Sequence, residues 1–402
     1  MNMWQWILDG YQKLRYSIAF RPAVITWVFA LMAGLMVSIE GQGIDAWLAA
    51  HFEPLTIRDN DTARLILGTL VGGMISMMVF SFTMVMTTLS RASATLSPRV
   101  IPGIVSKRSH QITLGVNLGT ILFALVLATR VAHDGVNDTP PSAGVLMAIV
   151  LALVNLVFFV AFIESISRDI HVDRVCEGIY QETRSQLIEA IKKVDIIRQP
   201  LPIGSASWPA QKADTSGYLL AINRQRLAEI ASKHDLTLHL MKGHGTFILR
   251  GEAIIKAPTP LVDTLWQAIR ACLIIDTDYG REQHFSVGLR KLSEIAIKAL
   301  SPGINDPGTA IYCLDLLSDL LPLLCKIRPP HAVLDSNGVT RLWVEEQPLK
   351  DYLRDLLMPI YHYGCSDAHL VRRMHDAIKR AADSAEDPSE LLWIMSQLTE
   401  PV

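Results

Sequence analysis

The chain has 402 residues, half of them hydrophobic and 19% charged, with 37 Lys and Arg against 39 Asp and Glu for a net charge of −2. That length suits two or three domains, and that apolar content excludes a disordered chain. The near-neutral balance leaves no basic surplus to hold nucleic acid and no acidic tail.

The apolar excess is concentrated in the first 170 residues. Residues 1–22 carry Lys13, Arg15 and Arg21 against Asp9 and are expected to form a short cytosolic segment. The uncharged run from Ala23 to Ile39 is near the lower limit for crossing a bilayer core of roughly 30 Å. No small-x-small cleavage site with a processed look follows it before Glu40, which argues against a removed signal peptide. Ala63 to Leu89 is a longer run with Arg64 at its edge, and Ile112 to Thr129 and Ser142 to Ile163 are uncharged. Soluble core helices rarely run so long without a charge. The expectation is therefore a membrane α-helical domain over 23–166, with four spans at 23–39, 63–89, 112–129 and 142–163.

The connections alternate in charge. The first holds Glu40, Asp45, Glu53, Asp59 and Asp61 against Arg58, the second holds Arg91, Arg99, Lys107 and Arg108 with no acid, and the third holds His133, Asp134 and Asp138 after Arg130. Positive charge stays on the cytosolic side, so a multi-pass protein is expected with both termini and the 90–111 connection in the cytosol. All five cysteines follow the fourth span and form no CxxC pair, as suits a reducing compartment.

Helical spacing from Thr69 in the second span gives Gly73, Ser76, Phe80, Thr83, Thr87, Ser90, Ala94 and Ser97, a small or hydroxylated stripe broken by Phe80. Continued from Ala63 to Leu96 this helix would be about 50 Å long and protrude into the cytosol. Gly68-x-x-x-Gly72 and Gly115-x-x-x-Gly119 let helices approach closely, and Asn117 in span three and Asn155 in span four need hydrogen-bonding partners. Ser76, Thr83, Thr87, Ser90 and Asn117 thus read as a stripe that lines a pore or packs helices. Arg91, Arg99, Lys107 and Arg108 form a basic cytosolic collar, either set by topology and anionic lipid or acting as a cationic vestibule. No ionisable group lies deep in a span, which argues against a proton relay or voltage sensor.

Residues 170–402 read as a cytosolic mixed α/β domain, strand-rich over 217–260 and mainly helical over 261–402. An amphipathic helix over 170–193 leads into a Pro-containing linker at 198–216, then strand–helix–strand–strand. Helices are expected at 262–275, 284–300, 307–325, 348–363, 366–383 and 388–399, with a hairpin around Gly338. In the run 299–310, Pro302-Gly303 ends one helix and Asn305 or Asp306 can cap the next. Ser301, Asn305 and Asp306 therefore form a structural joint or a ligand-binding loop. No HxH, HExxH, GxSxG, GxxxxGK[ST] or GxGxxG occurs, so no cofactor, metal or catalytic constellation is legible.

Phe80-Ser81-Phe82-Thr83-Met84-Val85, Leu89-Ser90-Arg91-Ala92-Ser93, Leu96-Ser97-Pro98-Arg99-Val100, Leu114 to Thr120, Ser216-Gly217-Tyr218-Leu219 and, most specifically, Ala299 to Pro307 form a set. Together they resemble the predicted bacterial membrane protein family catalogued as domain of unknown function 2254, over nearly the whole chain. Arg91 and Thr95 stand where that family usually has polar or small residues, and Gly308 where it has a larger one. The resemblance implies an inner-membrane protein with four spans and a cytosolic C-terminal region, and no activity. The expectation is a homo-oligomeric channel or passive transport protein, gated or assembled by its cytosolic domain. The competing expectation is a non-transporting scaffold or sensor whose cytosolic domain binds a protein or small ligand.

Overall fold

A computed structural model describes residues 20–39, 56–57, 59–95, 108–133, 142–169, 171–192, 196–198, 200–277, 284–327, 331–335 and 337–398. These fall into two compact units, one built from the helices before His171 and the other running onward from Val172.

The first unit contains α1 (Phe20–Ile39), α2 (Asn60–Thr95), α3 (Arg108–His133) and α4 (Ser142–Asp169). Each apolar run expected from sequence lies within one of these helices, and the helices extend past the runs into polar flanks. Asp59 sets the start of α2, accepting from the Thr62 main chain and hydroxyl, both at 2.7 Å. Arg64 then ties that end to the carbonyl of Val131, 3.0 Å away at the far end of α3. The Ser142 hydroxyl holds the main chain of Ile57 through two bonds of 3.1 Å, fastening the approach to α2 onto the start of α4.

Helix α3 is the centre of this unit: 56% of its most apolar stretch is buried, against 11%, 11% and 17% for α1, α2 and α4. Gly115 and Gly119 make its close approach to α1 possible. A Cβ at Gly119 would lie 2.6 Å from Phe29 Cγ, and one at Gly115 would lie 2.9 Å from Ile25 Cβ. Larger side chains, Leu67 and Met74 of α2 with Phe123 and Leu127 of α3 and Val145 of α4, fill the core.

The second unit contains α5 (Val172–Lys192), β1 (Ile196–Arg198), β2 (Ala210–Lys212), β3 (Gly217–Ile222), α6 (Arg224–Lys233), β4 (Leu238–Leu240), β5 (Phe247–Ile248), β6 (Ala253–Lys256), α7 (Asp263–Arg270) and β7 (Leu273–Asp276). It continues with α8 (Phe285–Ala299), α9 (Pro307–Cys325), β8 (His331–Leu334), β9 (Thr340–Val344), α10 (Leu349–Gly364), α11 (Ala368–Ser384) and α12 (Ser389–Ser396). One sheet runs β1-β8-β9-β4-β6-β2 and a smaller one β5-β3-β7. Leu238, Leu240, Ile254, Ile255, Leu342 and Val344 from the larger sheet share one core with Leu227 of α6 and Trp266 and Ile269 of α7.

Two expectations need correction. The helix placed over 262–275 stops at Arg270, and Leu273–Asp276 becomes a strand antiparallel to β3. There Leu-Ile-Ile is β-prone, and Cys272 holds the crossover by accepting from the Asn223 amide at 2.9 Å. The linker at 198–216 contributes β2 and the end of β1. The hairpin expected around Gly338 is present as β8 and β9, which lie inside the larger sheet, with β9 parallel to β4.

Five described helices are long and apolar enough to cross a membrane, α1 to α4 and α9. In α9, Leu314, Leu317, Leu320, Leu321 and Leu324 are buried, and its neighbours are α5, α8 and α11. Its acids have partners: Asp315 pairs with Arg373 and Arg380 at 2.8 and 2.9 Å, and Asp319 accepts from the Tyr180 hydroxyl at 2.6 Å.

Candidate functional site

Helix α2 presents two unlike faces. Ala63, Leu67, Met74 and Thr88 point into the unit, while Thr69, Ser76, Thr83, Thr87 and Ser90 lie exposed on the other side. Four of these hydroxyls donate back to the carbonyl four residues earlier: Thr69 to Leu65, Ser76 to Gly72, Thr83 to Val79 and Thr87 to Thr83, at 2.7–2.9 Å. Such a bond satisfies the hydroxyl proton without water, so the face is tolerable against an apolar or a polar neighbour. A Cβ at Gly68, Gly72 or Gly73 would meet nothing within 4 Å, in contrast to Gly115 and Gly119. The stripe breaks at Phe80, whose ring meets Phe159 of α4 edge-on at 5.9 Å.

Arg91 and Arg108 are exposed at the end of α2 and the start of α3. The Arg64–Val131 bond marks the opposite end of the same pair of helices, so both cations share one end of the unit. Arg99 and Lys107 lie outside the described residues. Asn117 is 3% exposed with its Oδ1 unpartnered, and Asn155 is fully buried with neither amide atom bonded.

In the second unit the 301–306 run is held by its own bonds. The Ser301 hydroxyl donates to Lys298 O at 2.6 Å, and Asn305 and Asp306 amides donate to Ser301 O and Ala299 O at 2.9 and 2.8 Å. Asn305 takes φ +49°, a left-handed conformation that Asn tolerates better than most residues. Asp306 caps α9, accepting from the Thr309 amide at 3.1 Å and its hydroxyl at 2.6 Å. These bonds make a helix–loop–helix joint.

A cluster that sequence alone did not reveal surrounds Glu346, just after β9. Its carboxylate accepts from Arg224, the first residue of α6, at 2.5 Å, from the His244 main chain at 3.2 Å and from His244 Nδ1 at 3.3 Å. The His244 ring stacks on His284 at 4.3 Å, nearly parallel. His284 also caps α8, its Nδ1 accepting from the Ser286 amide at 3.3 Å. A Cβ at Gly243 would overlap the Glu346 carboxylate, so a larger residue there would push that carboxylate from its partners. Burial pushes the Glu346 carboxyl up, but the His244 bond and the charges of His244, Arg224 and His284 outweigh it and hold the group well below its ordinary range. The histidines were visible in the sequence; the pairing of His244 with a carboxylate 102 residues away was not.

Among the described residues no group of three His, Cys, Asp or Glu could hold a metal ion. All five cysteines are free thiols, four of them buried. Cys176 of α5 and Cys313 of α9 lie 3.6 Å apart, and that sulfur contact together with burial pushes the Cys313 thiol up.

No solved structure matches this chain. Proteins of Mycobacterium tuberculosis (strain H37Rv) and Mycobacterium bovis, both named only as uncharacterized, are 23% identical to it over 347 residues, covering 84% of this chain and 67% of theirs. The model of the predicted membrane protein family DUF2254 matches residues 15–380. With its apolar helices, its mixed α/β second unit and that match along most of its length, the chain belongs to this family of membrane proteins of unknown function.

Proposed function

We propose that the chain is a four-span inner-membrane protein, α1 to α4 crossing the bilayer, that assembles as a homo-oligomeric channel or passive transport protein. The basic connection between α2 and α3 and the unit from Val172 onward are then cytosolic, as are both termini, and the second unit gates or assembles the pore. The observation that carries this reading is the unused face of α2. Its glycines and hydroxyls face away from their own unit, while the equivalent glycine pair on α3 is filled by α1. One four-helix subunit encloses little, so lining a path requires copies to meet along α2. Ser76, Thr83, Thr87 and Ser90 supply the wall, and Arg91, Arg99, Lys107 and Arg108 supply a mouth favouring anions.

Single cysteines at Ser76, Thr83 and Thr87, in a background with the native cysteines replaced, test the reading in membrane vesicles. A membrane-impermeant, water-soluble thiol reagent is expected to modify them, and a cysteine at Phe82, an exposed position about 100° around the same helix from Thr83, serves as the lipid-side comparison. Protection of all three, together with no conductance from purified protein in planar bilayers, ends the proposal.

A further inference from the structure

The seam between α3 and α4 repeats every seven residues. On α4 the buried positions Ala148, Asn155 and Phe162 are seven apart. On α3 the corresponding set is His110, Asn117 and Ala124. The helices run antiparallel, and the ring contact between His110 and Phe162, at 5.4 Å, fixes their register at one end. Two turns along α3 from His110 is Asn117, and two turns back along α4 from Phe162 is Asn155. Two further turns bring Ala124 and Ala148 together, and both belong to the same core cluster. Asn117 and Asn155 therefore form one layer of the seam, as in a coiled coil with a polar layer between apolar ones.

That layer is deep. Asn155 lies at the middle of the 25-residue apolar stretch Ser142–Ile166, and Asn117 is the tenth residue of the 24-residue stretch Arg108–Val131. Lipid offers no hydrogen bonds at that depth, so a buried amide must find its partners within the protein. Asn155 is fully buried, yet neither its Oδ1 nor its Nδ2 has a partner, and Asn117 leaves its Oδ1 unpaired. The neighbouring hydroxyl protons are already committed, Thr113 donating to Ser109 O and Thr120 to Val116 O, so neither can serve an amide oxygen.

We propose that the α3–α4 seam holds a hydration site at mid-membrane depth, in which water bridges the amides of Asn117 and Asn155. The unpaired atoms choose the guest. A cation would satisfy the oxygens and leave the Asn155 N–H groups stranded, and an anion would do the reverse. Water donates and accepts, and buried waters characteristically make about three bonds to such groups. Exchanging the oxygen and nitrogen of Asn155 leaves the argument intact, because both are unpaired. The site lies wholly within one subunit, so it stands independently of any pore along α2.

The test uses the purified full-length protein in detergent. Asn117→Leu and Asn155→Leu are each expected to lower Tm, because each strands the water and the opposite amide. The double Leu variant is expected to recover wild-type Tm or exceed it, since the whole polar layer is then gone. Should a Leu variant fail to fold, Asn155→Ser and Asn155→Ala replace it. Serine, which can still bond water, is expected near wild-type Tm, and alanine below it. A density map that resolves ordered water is expected to show a peak within hydrogen-bonding distance of both amides. Additive Tm changes of either sign, equal Tm for the Ser and Ala variants, or amides bonded directly to each other with nothing between would overturn the proposal.

Discussion

Glu346 illustrates how a charge is retained where water is scarce. Only 15% of its side chain is exposed, and Arg224 beside it is 18% exposed. Removing one member of such a pair leaves the other charge without compensation, which typically costs about 3–5 kcal/mol. Glu346→Gln is therefore expected to lower the stability of the second unit by about 3 kcal/mol, the lower end of that range, because some solvent reaches both groups. Equilibrium unfolding of the two proteins at neutral pH measures it. The pH dependence has a defined sign. A carboxyl whose folded pKa lies below its ordinary value of 4.5 contributes stability that is present above that value and lost as the pH falls through the folded one. The native protein is expected to lose stability on acidification below about pH 4.5 more steeply than the Gln variant. None of this was legible in the linear chain, where Arg224, His244, His284 and Glu346 stand far apart. Four separate elements had to fold before they met.

At the scale of elements, identical spellings lead to different packing. Gly68-x-x-x-Gly72 and Gly115-x-x-x-Gly119 are equivalent as sequence, yet Ile25 and Phe29 fill the second pair, while among the described residues nothing lies within 4 Å of a Cβ on the first. Gly119→Val is expected to destabilise the first unit by about 1–3 kcal/mol through overpacking against Phe29. Gly72→Val is expected to leave the thermal stability of the subunit unchanged while reducing the oligomer seen by crosslinking or native mass spectrometry. If Gly72→Val alters neither, the α2 face contacts no other copy. The helices themselves were readable because long uncharged runs have few alternatives. The caps were partly readable, Asp306 acting as its position before Pro307 suggests. Strand β7 was not, because apolar residues at Leu265, Trp266, Ile269 and Leu273 continue a helical period. Only pairing with β3, remote in sequence, stops the helix at Arg270. Long-range pairing overrides local sequence signals in the same way for β2, inside the Pro-containing 198–216 segment, whereas the β8–β9 hairpin around Gly338 was readable.

For the whole molecule, the number of crossings turns on α9, whose apolar length matches that of α1. Composition separates them only in part, α9 carrying two acids and a mean hydropathy of 1.4 against 2.0 for α1, and their surroundings separate them further. Helix α1 shows Trp27, Val28, Leu31 and Leu35 to the outside, whereas α9 buries its leucines among helices that carry their own charged faces. An α9 in the bilayer would place Asp315 and Asp319 at membrane depth, at a cost of about 2.5–3.5 kcal/mol for each centrally placed acid. It would also separate Asp315 from Arg373 and Arg380, and Asp319 from Tyr180. The packing instead accounts for each of these groups. A fragment comprising residues 172–402 is therefore expected to stay in the supernatant after ultracentrifugation without detergent and to unfold in a single cooperative transition. Recovery of the fragment only with membranes or detergent would mean that α9 enters the bilayer. Five crossings would then replace four and carry the C-terminal helices to the opposite side. That result would also remove the cytosolic unit on which gating of the proposed pore depends.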